Sequence, residues 1–174
     1  MSLLFYKHDI EKLTGSTNIF KNLKWVTLTH SLHLVFLIRL GQTLCRIPLL
    51  GIISRVLIEY VIRILFASDI SLKAKIGKGF IIMHGHDVVI GAQAVIGENC
   101  TIFNGVTLGN RDITVTSQGN QPTIGNNVVL STGSKILGGI SIGDNVKIGA
   151  NAVVVKDCLA NLTYVGVPAK MIVK

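Results

Sequence analysis

A chain of 174 residues, 49% hydrophobic and 15% charged, is long enough for one domain with a core and too apolar for disorder. Mean hydropathy is +0.56, yet the longest uncharged run of the apolar N-terminal half, Trp25 to Ile38, has 14 residues, short of the roughly 18–20 a spanning helix needs. The net charge of +8 invites an anionic partner, but there is no dense basic run or basic patch with interleaved aromatics, and nucleic acid is excluded.

The N-terminus turns charged at Lys7, without the basic, apolar and small-residue order of a signal peptide, so the expected location is cytoplasmic. Residues 1–68 read as a helical segment. Apolar spacing predicts one helix over Leu28–Cys45 and another over Leu49–Phe66, interrupted by Pro48. Arg39, Arg46, Arg55 and Arg63 recur along them. Packing against the rest of the chain or a subunit partner, with arginine heads in water, is the favoured reading. A basic stripe against the inner face of the cytoplasmic membrane is the other. Cys45, Cys100 and Cys158 are odd in number and lack C-x-x-C spacing, and are read as small buried apolar residues.

Residues 69–174 repeat with a period of six. The aliphatic anchors are Ile70, Ile76, Ile82, then Ile90, Ile96, Ile102, Leu108, then Ile124, Leu130, Ile136, Ile142, Ile148 and Val154. Six is no helix face and is too regular for hairpins. A short strand plus a tight corner accounts for it, three such units closing a coil of 18 residues. Glycine or asparagine (Asn99, Asn126, Asn127, Asn145, Asn151) is expected at corners needing positive φ. The predicted fold is mainly β, a parallel β-helix of a little over four coils with a C-terminal tail.

The period breaks twice. Two extra residues fall in Met83-His84-Gly85-His86-Asp87, and ten more leave the coil as a loop over roughly Asn110 to Gln121. Insertions on a regular scaffold commonly carry function. His84 stands close to one coil after Asp69, so a carboxylate could orient the imidazole while its other nitrogen takes a proton from a hydroxyl. The structural alternative is a corner histidine and a capping aspartate. His84 and His86 as metal ligands would need a third histidine, and His8, His30 and His33 all lie in the helical segment.

The stretches Asp69-Ile70, IGKGFIIMHGHDVVIG (76–91), GVTLGNR (105–111), IGNNV (124–128), SKILGGISIGDNVKIGANAVV (134–154) and VGVPAK (165–170) resemble the serine acetyltransferase branch of the hexapeptide-repeat acyltransferases. They resemble still more the related O-acetyltransferases of colanic acid and capsular polysaccharide clusters. The resemblance implies a left-handed β-helix, acetyl-CoA as cosubstrate, no metal, and a homotrimer with active sites between neighbouring β-helices. It makes His84 the general base and Asp69 its orienting carboxylate. It places the cofactor along Gly109, Asn110, Arg111, Thr132, Ala150 and Lys170.

In serine acetyltransferases an aspartate precedes the catalytic histidine, and an Arg-His pair follows the long loop just before a proline. Those positions here are Met83, Asn120 and Gln121. Serine's two charges would lack counter-charges there, at a cost of several kcal/mol per unpaired ion. The expectation is therefore a sugar hydroxyl in surface polysaccharide synthesis, lined by Met83, His86, Asn104, Asn120 and Gln121. The alternatives are serine O-acetylation in cysteine synthesis and a non-catalytic scaffold.

Overall fold

The computed structural model describes residues 2–48 and 50–172, leaving Leu49, Val173 and Lys174 of the predicted segments outside the described residues. Four helices come first: α1 (Ser2–Thr14), α2 (Ile19–Leu28), α3 (His30–Leu44) and α4 (Leu50–Phe66). The last two are the helices the apolar spacing predicts; α1 and α2 are additional. Residues 69–172 form three sheets that share one core. The first holds β1 (Asp69–Ile70), β4 (Val89–Ile90), β7 (Thr107–Gly109), β10 (Lys135–Leu137) and β13 (Val153–Val154). The second holds β2 (Lys75–Ile76), β5 (Val95–Ile96), β8 (Thr123–Ile124) and β11 (Ser141–Ile142). The third holds β3 (Ile81–Met83), β6 (Thr101–Phe103), β9 (Val129–Leu130), β12 (Lys147–Ile148), β14 (Thr163–Val165) and β15 (Lys170–Ile172).

From β1 to β14 successive strands pass from sheet to sheet, and those that pair do so in parallel with the strand one coil away, which is a parallel β-helix; β15 then folds back antiparallel on β14. The anchors stack in register: Ile70, Ile90, Leu108, Ile136 and Val154 on the first sheet, Ile76, Ile96, Ile124 and Ile142 on the second, Ile82, Ile102, Leu130 and Ile148 on the third. All are buried, and burying each contributes roughly 1.5–3 kcal/mol. In most coils the residue four places after an anchor also points inward and is small or β-branched, as at Ala74, Ala94, Val106, Val128, Val146 and Ala152, with Phe80 the large exception. Glycine follows many anchors because the coils touch there: a Cβ on Gly77 would lie 2.6 Å from the Gly97 carbonyl oxygen.

The stack has about five coils. The thirteen anchors miss the fifth because its inward residues are Cys158, bridged to Ile142, and Tyr164, in register with Ile148. Asn99, Asn127, Asn145 and Asn151 take left-handed corner conformations, as does Asn161. Asn126 does not; its side-chain oxygen instead accepts from the Glu98 N–H at 2.8 Å.

Arg39 is wholly buried and is no part of a surface stripe. It is bidentate to Asp9, at 2.8 and 3.1 Å, and donates to the carbonyls of Ile76 and Gly77. Asp9 also accepts from the Phe80 N–H at 2.8 Å. One ionic cluster thus joins α1 and α3 to the first coil. Between α4 and β1, Ser68 donates to the Phe66 carbonyl and accepts from the Val88 N–H.

Candidate functional site

The two-residue insertion after β3 turns the chain outward, with His84 at φ 57° and Asp87 at φ 54°. Side-chain-bearing residues adopt that region at a cost, and it concentrates at functional corners. The helices hold the corner from behind. The Gly85 N–H donates to Ser31 Oγ of α3 at 2.9 Å, and a Cβ on Gly85 would stand 3.0 Å from Leu34 Cδ2. His84 and His86 themselves are exposed. Among the described residues no side chain or backbone group hydrogen-bonds the His84 ring, so both nitrogens are available to a ligand.

Asp69 lies opposite Val89 in the ladder, and its N–H donates to the Val88 carbonyl. It therefore sits one coil below the strand that His84 leads into. Among the described residues no hydrogen bond joins the two side chains. Asp69 Oδ1 instead accepts from Arg63 Nη2 of α4 at 2.8 Å, with both side chains more than half exposed. That contact holds the Arg63 guanidinium above its ordinary pKa. Asp69 Oδ2 remains for an imidazole N–H. Arg63 is a residue sequence reasoning missed at this site; its place six before Asp69, near the end of a helix, was the available signal.

The same corner continues down the stack as a column. The Gly105 N–H donates to the His86 carbonyl, Gly133 to Asn104, and Asn151 to Thr132. His86, Asn104, Thr132 and Ala150 thus occupy equivalent places on successive coils, with Thr132 Oγ1 donating to Asn104 Oδ1 at 3.2 Å. This edge has short side chains beyond His86, leaving room for an extended ligand against the backbone. Lys135, also missed, lies alongside, its Nζ donating to the Gly105 carbonyl and Thr107 Oγ1. Lys170 is exposed on β15, at the far end of the stack from His84. Met83, half-buried, ends β3.

The remaining candidates cluster elsewhere. Gly109 ends β7, and Asn110, Arg111, Asn120 and Gln121 belong to the loop that follows, across the first sheet from the His84 corner. Asn110 Nδ2 donates to the Val115 carbonyl. Asn120 Nδ2 donates to the carbonyls of Thr116 and Gln118. Gln121 Oε1 accepts from the Gln93 N–H at 2.8 Å, capping the coil below. Within one chain Asn120 and Gln121 lie away from the His84 corner, and their amides bond to the loop and its root. Arg111 is exposed. Among the described residues no group of three or more His, Cys, Asp or Glu is placed to hold a metal ion, and no helix is long and apolar enough to cross a membrane.

Two hexapeptide family models match the chain: bacterial transferase hexapeptide (six repeats) over residues 121–156 and hexapeptide repeat of succinyl-transferase over residues 87–111. A serine acetyltransferase from Bacillus pumilus is 36% identical over 170 residues, which is 97% of this chain and 76% of the relative. One from Helicobacter pylori is 49% identical over 113 residues, 64% of each chain. The serine acetyltransferase structure from Neisseria gonorrhoeae superposes with a TM-score of 0.86 at 29% identity, covering 98% of this chain and 64% of that one. Against the Helicobacter relative and the Neisseria structure the chain spans just under two thirds of their length. These likenesses run to serine acetyltransferases, and the expected closeness to polysaccharide O-acetyltransferases has no support. They overturn the expected sugar acceptor in favour of the alternative, serine.

Proposed function

The chain belongs to the serine acetyltransferase family of hexapeptide-repeat transferases, and on that premise we propose that it moves an acetyl group from acetyl-CoA to the hydroxyl of serine. The observation that carries the reading is the likeness to the Bacillus pumilus enzyme along 97% of the chain, together with an exposed His84 about one coil after Asp69.

In this reading His84 removes the proton of the serine hydroxyl as the oxygen attacks the thioester carbonyl. The resulting imidazolium then protonates the departing sulfur, so the proton passes from serine to coenzyme A and His84 ends as it began. Asp69 Oδ2 orients the ring and supports its charged form. The edge formed by Asn104, Thr132 and Ala150 fits an extended pantetheine arm, since those side chains are short. Lys170 meets the phosphates.

The serine zwitterion needs both signs of charge. Asp87, exposed on the His84 corner, suits the ammonium, and Arg111 on the loop suits the carboxylate. The loop and the corner stand at opposite edges of the first sheet, so a homotrimer would complete each site by setting one subunit's loop against its neighbour's corner.

The test is thiol release from acetyl-CoA with and without L-serine, comparing the native protein with His84→Ala. Serine-dependent release lost in His84→Ala, with coenzyme A still bound, is expected. Native protein that binds coenzyme A and releases thiol no faster with serine overturns the assignment.

A further inference from the structure

The activity leaves one face of α4 unexplained. Leu50, Ile52, Ile53, Val56, Leu57, Tyr60, Ile64 and Leu65 are each about half or more exposed. They recur at three- and four-residue steps, opposite the side that buries Ser54, Ile58, Ile62 and Phe66 in the core. The helix is thus apolar on both faces, and its ionic residues Arg55, Glu59 and Arg63, four apart, form one line between them. Where that line meets the turn before α4, a cleft of about 370 Å³ is lined by Arg46, Ile47, Ile52, Arg55 and Lys73 among others.

We propose that this face docks on an anionic lipid bilayer, α4 lying in the interfacial plane with its outer stripe among the acyl chains and a lipid phosphate in the basic cleft. Charge selects the occupant. Glu59 is turned inward, accepting from the Leu72 N–H at 2.9 Å, and Asp69 is engaged by Arg63. Arg46, Arg55 and Lys73 are left as the charges bordering the stripe. A second copy presenting this same face would bring further cations and, among the described residues, no free carboxylate to meet them, since Glu59 and Asp69 are engaged. A bilayer carrying acidic headgroups matches both the cations and the apolar stripe. At 17 residues, with Arg55, Glu59 and Arg63 inside it, α4 lies on a membrane and does not cross one.

The test is flotation of the full chain with phosphatidylcholine vesicles, with and without 30% phosphatidylglycerol. Each cation near an anionic surface is worth about fivefold in partitioning, so the three together give roughly a hundredfold preference for the anionic vesicles. Two variants separate the contributions. Arg46→Ala/Arg55→Ala/Lys73→Ala removes that preference, and Leu57→Glu/Tyr60→Glu lowers binding to the anionic vesicles at least tenfold, both with an unchanged circular dichroism spectrum. Equal capture by both vesicle types, or no capture together with an oligomer that Leu57→Glu/Tyr60→Glu dissociates, overturns the proposal.

Discussion

Arg63 donates to Oδ1 of Asp69 at 2.8 Å and leaves Oδ2 without a hydrogen bond among the described residues. α4 thereby holds the aspartate from outside the β-helix, and the proposed acid–base pair would depend on a helix as well as on the repeat.

Removing that guanidinium lets Asp69 rotate while keeping its charge. Arg63→Ala is expected to lower kcat about tenfold with the KM for acetyl-CoA unchanged, and Asp69→Ala to lower it by the 10²–10⁴ typical of acid–base machinery. In the Asp69→Ala background the Arg63 change should add nothing. Steady-state kinetics of the two single variants and the double variant read this directly; independent effects would separate Arg63 from Asp69.

Arg39 and Asp9 form a buried ion pair whose remaining hydrogen bonds go to first-coil backbone. Asp9→Ala strands a buried guanidinium, and about 3–5 kcal/mol of stability should be lost. Asp9→Leu/Arg39→Met should cost less than the two single changes added together. Urea unfolding of the three variants supplies the comparison.

The anchors were legible because a solenoid corner repeats one local solution, and neither Ile76 nor Ile142 needs a distant residue to explain it. The fifth coil was hidden because Val154 is followed after four residues, not six, by Cys158, and then by Tyr164, neither an aliphatic anchor. Arg39 read as a surface charge because its partner, Asp9, is thirty residues upstream, on a helix the apolar spacing did not predict. The roles of Asn120 and Gln121 escaped for a related reason: an amide's value depends on which backbone groups its loop leaves unpaired, and Gln93 is a coil away. Spacing put His84 about one coil after Asp69 and the family resemblance supplied their expected roles; Arg63 was seen as one arginine of a series and not as the partner of Asp69.

Ser134 occupies an inward position that other coils fill with alanine or valine, and its buried Oγ has no hydrogen-bond partner among the described residues. A buried hydroxyl left unpaired costs about 1–3 kcal/mol. Ser134→Ala is therefore expected to raise stability by about 1 kcal/mol, seen as a higher Tm with activity unchanged.

Burial, with Asp157 nearby, pushes the Cys158 thiol up to about 11 from an ordinary 9.0. The folded chain holds this proton more tightly than the unfolded chain. That contribution to stability is complete below pH 9 and is lost as pH rises through about 11. At pH 8 only about one Cys158 in a thousand is a thiolate. Mass-spectrometric mapping of iodoacetamide adducts at pH 8 should find Cys158 unmodified in native protein and labelled in urea.

The in-register stack also dictates how such a chain can change in length. Beyond the loop, Ile124, Leu130 and Ile136 recur one full coil later as Ile142, Ile148 and Val154. Losing six residues there would keep an aliphatic group inside but pass every later strand to a neighbouring sheet, carrying Ala150 off the edge it shares with Thr132. Losing eighteen would return each strand to its own sheet. Insertions and deletions tolerated in this half are therefore quantised in whole coils, while the segment between Gly109 and Thr123 can lengthen or shorten one residue at a time.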